Sequence, residues 1–569
     1  MDKISVPKCP QCGRQMLKRA RRSDGQPFWG CSGFPKCREI LPWQEEVTRV
    51  ADEKEVQLST YQQNLVDAIR DKSGGNLVVE AVAGSGKTFI IVYSLRFTHG
   101  DVTFLAFNKA IATTLKRKAP GHVNCSTIHS LGFSAINKAF PYRPEVDERK
   151  KLGIAKEMFP DDKDAALRNG LVNLASKCQN TLTDPSDIYA VSDLIDRYSI
   201  DFNGNEESVN NEARAISALP HLLKECQSRK TVVDYDDMIW LPIVLNLPIP
   251  KHDWVFVDEA QDLNASNLAL ILRAVKSNGR VVVVGDRNQS IYGFRGADTN
   301  AIPNLIEGLQ AKVMPLSITY RCPISHVKLA RQLVPQLESA PWAEEGEIIE
   351  NLPKDRATAI MIDGDLIMCR TNAPLISLCY ELIKMGKKAT IQGRDIGQGL
   401  IQMIDKLKPK DIDDLLEKLE TYRYREMAKL AKSGREHSIQ ALEDKCDCIF
   451  ALTEGMDNLS ELRARIENIF TDNQTGIILS SVHRAKGLEA DHTFILRPDL
   501  MPFPKATKQE DIQQEYNIMY VALTRAKKSM VFIDGPAPVK NEYVPPITED
   551  QIWSNVDMTD MNPDMKERK

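Results

Sequence analysis

A chain of 569 residues is longer than one hydrophobic core ordinarily supports, so several domains are expected. Its 42% hydrophobic and 27% charged residues exclude a disordered or fibrous chain. The net charge of −4 excludes bulk positive charge as a means of holding nucleic acid, so any such site must be a local patch. The opening MDKISVPKCPQCG lacks an apolar signal region, and no apolar run reaches the length of about 18 residues that a membrane span needs. No membrane association and a cytoplasmic or nucleoid-associated location (host cytoplasm if viral) are therefore expected. Twelve cysteines in so long a chain do not make a disulfide scaffold, and paired cysteines in a reducing compartment point to metal.

The first such pairs open the chain. Cys9-x2-Cys12 and Cys31-x5-Cys37 flank a loop of 18 residues, and four thiolates at this spacing can close a tetrahedral Zn²⁺ site. A module of residues 1–43 has too little core to fold without such a staple. Between the pairs, Arg14, Lys18, Arg19, Arg21 and Arg22 are interleaved with Phe28, Trp29 and Phe34. Cations for phosphates and aromatic faces for bases suit single-stranded nucleic acid; the alternative is that the aromatics pack the ribbon. The run CPQCGRQMLKRARRSDGQPFWGCSGFPKCR resembles the C-terminal zinc ribbons of bacterial type IA topoisomerases, which implies a DNA-binding accessory.

Residues 44–57 are charged and poor in apolar side chains, as a linker would be. From Leu58 short apolar runs recur: NLVVEAV, DVTFLAF, DWVFVDEA, RVVVVGD, GIILSSV, HTFILR and SMVFID. Helical segments separate them, which predicts α/β lobes with parallel sheets covered on both faces. Two lobes are expected, over 58–300 and 301–535, with helical insertions near 138–230 and 402–470. A tail over 536–569, rich in Pro, Asp and Met, is expected to be partly disordered.

Ala81-Val82-Ala83-Gly84-Ser85-Gly86-Lys87-Thr88 follows a predicted strand and precedes a predicted helix, the setting of a phosphate-binding loop. Backbone N–H groups would cradle phosphates at the helix N-terminus, Lys87 would reach the β- and γ-phosphates, and Thr88 would hold Mg²⁺. The strand before Asp258-Glu259-Ala260-Gln261-Asp262 delivers carboxylates to its C-terminal end. Asp258 suits Mg²⁺ and Glu259 suits a general base for the attacking water. Arg321 and Arg525 are candidates for the positive charge that γ-phosphate transfer needs, although a lone arginine is most often a surface residue. Tyr292 and Phe294 in QSIYGFRGA are candidates for stacking bases; the alternative is core packing.

The ordered set QLSTYQQ, AVAGSGKT, FLAFNKAIA, STIHSLG, VFVDEAQD, VVGDRNQSIYGFRGA, TYR, SSVHRAKGLEAD and YVALTRAKK resembles the UvrD/Rep-type superfamily 1 helicases, with FLAFNKAIA closer to their F-box DNA helicase branch than to UvrD itself. The resemblance spans roughly residues 57–534 and implies two RecA-like domains with ATP between them. It implies that Gln62 reads adenine, Tyr320 stacks on it and Glu489 contacts the ribose. It further implies that Ala83, Gly84, Ser85, Gly86, Lys87 and Thr88 hold the phosphates, that Gln289 senses the γ-phosphate and that Arg321 and Arg525 are arginine fingers. Asn108, His129 and His483 would face the DNA strand. Many relatives carry Arg after the P-loop threonine and often FTNKA; here Phe89 follows Thr88, and the aromatic of Phe107-Asn108-Lys109-Ala110 is displaced by one position.

The function so implied is an ATP-dependent DNA helicase or translocase. It would move 3′→5′ on single-stranded DNA and unwind tailed or forked duplex in replication, repair or recombination. A translocase that remodels protein–DNA or recombination intermediates with little unwinding, and a non-catalytic DNA-binding scaffold, are the alternatives. Intact Lys87, Glu259, Arg321 and Arg525 oppose the scaffold.

Overall fold

The computed structural model describes residues 9, 12, 14, 16–20, 27–33, 37, 40–42, 57–198, 200–202, 210–291, 301–432, 436–471, 475–504 and 509–538. The expected linker over 44–56, most of the expected tail, and Tyr292 and Phe294 lie outside the described residues. Contacts divide the chain into two units, Met1–Ser59 and Thr60–Lys569.

The small unit carries an antiparallel sheet of Met16–Ala20, Pro27–Cys31 and Ile40–Pro42. Met16 and Trp29 are buried with Cys9 and Cys31. Trp29 is therefore a core residue of the ribbon, which takes it out of the set of aromatics available to bases.

In the large unit, six parallel strands form the first sheet, in the order Lys312–Leu316, Leu77–Ala81, Val275–Gly285, His252–Val257, Val102–Ala106 and Val123–Thr127. Runs such as LVVEA and VTFLA are buried along almost their whole length because helices cover both faces. Sheet pairing carries the first lobe through Leu316, past the expected boundary at 300. The edge strand KVMPL caused the difference: three of its five residues are exposed and it holds a proline, tolerated at an edge where no ladder hydrogen bond is lost.

The second sheet has seven parallel strands, in the order Glu347–Leu352, Ala526–Ile533, Ala490–Leu496, Leu366–Cys369, Ile477–Ser481, Ala389–Gln392 and Phe470–Thr471. The helices Ile412–Lys432 and Glu436–Thr453 pack into its core through Leu415, Leu419, Cys446, Ile449 and Leu452. Asp444 also caps the helix Ala373–Lys384, accepting from Asn372 N at 2.9 Å and Ala373 N at 3.0 Å.

The insertion in the first lobe is helical, with its own core of Leu167, Leu171, Leu174, Leu219 and Leu222. A buried charge cluster ties it to the helix Tyr235–Val244. Lys150 Nζ meets Asp237 at 2.5 Å, and Lys151 Nζ meets Asp236 at 2.5 Å and Asp234 at 3.0 Å. Asp234 and Asp237 form a reciprocal capping box on that helix. Removing one ion leaves its partners buried without compensation, at about 3–5 kcal/mol. Lys151→Met is expected to cost the insertion that much, read as lost amide-exchange protection in Ala165–Thr181 and Asn211–Ser228 with the second lobe unchanged.

Candidate nucleotide site and zinc ribbon

The strands of the first sheet run parallel, so their C-terminal ends share one edge, where ligands bind in open α/β sheets. Leu77–Ala81 leads into the phosphate-binding loop, His252–Val257 into Asp258 and Glu259, and Val275–Gly285 into Asp286 and Gln289. The second lobe contributes from the N-terminal ends of its strands: Glu489 precedes Ala490–Leu496 and Arg525 precedes Ala526–Ile533. Pairing of Ala490 with Ala526 sets these two side by side. Between the lobes lies a cleft of about 420 Å³ lined by Gly84–Phe89, Phe107, Asn108, Glu259, Asp262, Gln289, Arg321, Lys486 and Arg525. Lys87, Glu259, Gln289, Arg321 and Arg525, expected to do the chemistry, are thus brought together.

Glycine is required in the loop. Gly84 and Gly86 both hold φ +73°, the left-handed region. A Cβ on Gly84 would stand 2.5 Å from Thr319 Oγ1 and 2.7 Å from Arg321 Cβ. A Cβ on Gly86 would lie 3.6 Å from Gln62 Nε2 and 3.7 Å from the Tyr320 ring, so the two residues expected to meet adenine flank one end of the loop. Ala83 N donates to the buried Tyr520 hydroxyl at 3.0 Å, a tie from the second lobe.

Glu259 occupies the left-handed region at φ 54°, a strained conformation for a side-chain-bearing residue and one that clusters at functional sites. Its carboxylate accepts from Gln261 Nε2. Gln261 Oε1 in turn accepts from Asp286 N at 3.0 Å, and Asp286 Oδ2 accepts from Gln289 Nε2 at 2.6 Å. A continuous hydrogen-bonded path therefore joins the candidate base to the candidate γ-phosphate sensor. Burial pushes the Asp258 carboxyl up, and the neighbouring Glu259 adds to this. Burial also works to raise Glu259, but Lys87, Lys486, the Gln261 amide and Arg525 together outweigh it and hold that carboxyl below its ordinary range. Asp258 is thus a buried carboxyl whose ionised form gains from added positive charge, as a magnesium ligand would. Burial likewise lifts Asp262 to about 6 beside Lys486 Nζ, 2.7 Å away.

Arg525 is 2% exposed. Its guanidinium donates to Val521 O at 2.9 Å, Leu488 O at 3.3 Å and Thr524 Oγ1 at 3.0 Å, all neutral oxygens. Burial, then Arg321, brings its pKa down to about 10, which keeps it charged at neutral pH. Arg321 is held by Glu489, at 2.8 Å through both Nε and Nη2, and by Thr524 O at 3.2 Å. Glu489, expected at a ribose, here positions Arg321 and pairs with Lys527 at 2.5 Å.

The expected strand-facing residues have different surroundings. Asn108 lines the nucleotide cleft and caps the helix Lys109–Lys118, accepting from Ile111 N at 2.9 Å. His129 packs edge-on against Tyr235, ring centroids 5.9 Å apart, and burial lowers its pKa. His483 is half-buried in the short helix Val482–Ala485. Phe89 and Phe107, which stand where relatives differ, are partly exposed and line the cleft.

In the small unit the sulfurs of Cys9, Cys12, Cys31 and Cys37 lie within 4.8 Å of one another. Cys9 and Cys37 approach to 3.6 Å, Cys12 and Cys31 to 3.3 Å, and Gly33 N donates to Cys31 Sγ at 3.3 Å. Tetrahedral zinc with Zn–S near 2.3 Å sets sulfurs about 3.8 Å apart, so the four thiols fit that ion.

A family model described as the UvrD/REP helicase N-terminal domain matches residues 60–310, and the UvrD-like helicase C-terminal domain matches 187–534. The chain belongs to the UvrD-like helicases. The topoisomerase DNA-binding C4 zinc finger matches residues 6–46. Among relatives, F-box DNA helicase protein 1 of Schizosaccharomyces pombe is 27% identical over 85% of this chain and 58% of its own length. F-box DNA helicase 1 of Gallus gallus is 22% identical over 84% of this chain and 49% of its own. The chain thus spans about half the length of these two. The ATP-dependent DNA helicase PcrA of Staphylococcus epidermidis is 22% identical, over 86% of each chain. The motifs located Lys87, Glu259, Gln289, Arg321 and Arg525, which line the cleft, whereas the motifs alone give no role for Gln261, Asp286, Lys486 and Tyr520. Gln261 and Asp286 were visible inside DEAQD and VVGD. The tie of Tyr520 to Ala83 crosses more than four hundred residues and leaves no local signal.

Gly84→Ala is expected to displace Arg321 and strain the loop. The measured outcome would be weaker nucleotide binding and slower hydrolysis, with the melting temperature little changed.

Proposed function

We propose that this chain is an ATP-driven helicase or translocase that moves on single-stranded DNA, 3′→5′, and acts on tailed or forked duplex. One observation carries the reading: Lys87 from the first lobe and Arg321, Lys486 and Arg525 from the second converge on a phosphate-binding loop with a carboxylate at hand. Backbone N–H groups of the loop and Lys87 would bind the β- and γ-phosphates. Thr88 and Asp258 would hold Mg²⁺, which when bound neutralises charge on those phosphates. Glu259 would take the proton of the attacking water, its low pKa keeping it ionised and available. Arg321 and Arg525 would meet the charge that develops on the transferred group. Gln289, tied through Asp286 and Gln261 to Glu259, would report the state of the phosphate to the segment that follows it, which contains Tyr292 and Phe294.

Arginine fingers are worth about 10³-fold or more in turnover. Arg525→Ala is expected to lower kcat by about that factor, and Lys87→Ala to abolish hydrolysis. In wild-type protein, single-stranded DNA should stimulate ATP hydrolysis, and strand displacement should proceed from 3′ tails. Hydrolysis that survives Lys87→Ala removes the site assignment; hydrolysis without DNA stimulation removes the motor.

The small unit would hold Zn²⁺ through Cys9, Cys12, Cys31 and Cys37 and add a DNA contact. Zinc released by chelation or denaturation should total one ion per chain, and Cys31→Ser should lose it while leaving the ATPase of the large unit in place.

A further inference from the structure

Tyr320 meets the phosphate-binding loop by an edge, and one of its faces is already covered. Its ring stacks on Trp342, with centroids 5.7 Å apart and planes 20° from parallel. Trp342 is 69% exposed, so core burial does not explain its place there. The segment bearing it is fixed to the segment bearing Tyr320. Ile318 and Thr319 pair in parallel with Glu338 and Ser339. Ala340 N donates to Thr319 O at 3.2 Å and Ile324 N to Glu344 O at 3.0 Å, which ties the loop on both sides of Trp342. Tyr61, beside Gln62, donates to Glu338 Oε1 at 2.7 Å and joins the same assembly. A second cleft of about 380 Å³ is lined by Tyr320, Arg321, Trp342, Glu345 and Lys527. Arg321 lines both this cleft and the phosphate cleft, so the two are neighbours along one guanidinium.

We propose that Trp342 is a positioning residue for the nucleotide base: it backs one face of Tyr320, fixes the plane of that ring and leaves the other face for a purine. The inference rests on reading the phosphate cleft as an ATP site. An aromatic ring held by a stacked neighbour binds a base without first losing the freedom to tilt, and a two-ring purine gains more from the prepared face than a pyrimidine does.

The test compares Trp342→Ala, Trp342→Leu and Trp342→Phe in the full chain. Ala and Leu are expected to raise KM for ATP about tenfold, with kcat within about twofold and less discrimination between ATP and UTP, while Phe restores the wild-type values. Inhibition by inorganic tripolyphosphate, which has no base, should be the same in all four proteins. The exposure of Trp342 leaves folding intact, and Leu retains apolar bulk without a π face. An unchanged KM in Trp342→Ala, an equal loss for tripolyphosphate, or a loss that Phe does not rescue overturns the proposal. If wild-type protein neither hydrolyses ATP nor binds tripolyphosphate, the reading of the cleft fails first, and the proposal with it.

Discussion

A guanidinium removed from water and held, among the described residues, by neutral oxygens is the constraint on which the nucleotide cleft depends. Arg525 carries its charge at 2% exposure, bonded to two backbone carbonyls and a hydroxyl. A buried cation of this kind must be stabilised by the field of nearby anions. Across the cleft the first lobe contributes to that field with Glu259 and Asp286. Burial raises the pKa of Asp258 and Asp286 in turn, so these groups gain from facing positive charge. Each lobe taken alone is electrostatically incomplete, and their apposition is complementary. An anionic ligand seated on the phosphate-binding loop adds to the first lobe's attraction for Arg321, Lys486 and Arg525. Ligand occupancy and lobe closure are therefore coupled by the same charges, because a ligand shifts an equilibrium only through its differential contact with the two states.

The hydrogen-bonded path from Glu259 through Gln261 and Asp286 to Gln289 gives that coupling a direction within the first lobe. It is short, and close packing limits its alternatives. A Cβ on Gly285 would stand 2.6 Å from Gln261 Oε1, so the strand end must be glycine for the amide to bridge at all. Gln289 begins where the path ends, and Asn517 of the second lobe holds Ser290 O at 2.9 Å. The hydrogen bonds of Gln289 and Ser290 thereby join Glu259, the candidate base, to the start of the segment bearing the two candidate stacking aromatics.

Much of this was legible in the sequence for reasons that differ by element. The strands of the first sheet that reach the site are buried on both faces, so they read as nearly continuous apolar runs such as LVVEA and WVFV. Lys312–Leu316 is an edge strand whose buried residues alternate with exposed ones and include a proline, and it gave no such signal. Its absence from the reading displaced the lobe boundary. Cysteine spacing located the metal candidate because four ligands must converge on one point. Trp29 was ambiguous because one side chain can either face a base or fill a small core, and only packing against Met16 decides. Glu489 shows the reverse case, since a motif position fixes where a carboxylate sits but not that Arg321 and Lys527 hold it.

Energetics also decide how the second insertion behaves. Its helices carry many charged residues, yet one stripe of each helix is apolar and fully buried. Leu415, Leu419, Ile449 and Leu452 are all 0% exposed within the core of the second lobe. Re-exposing a Leu or Ile of this kind costs about 1.5–3 kcal/mol, so four together approach the whole stability of a domain, about 5–15 kcal/mol. The carboxylate of Asp444 adds the loss of a helix cap on Ala373–Lys384. A swivel of these helices as a separate body would have to meet that cost. The insertion is therefore a built-in part of the second lobe and moves with it.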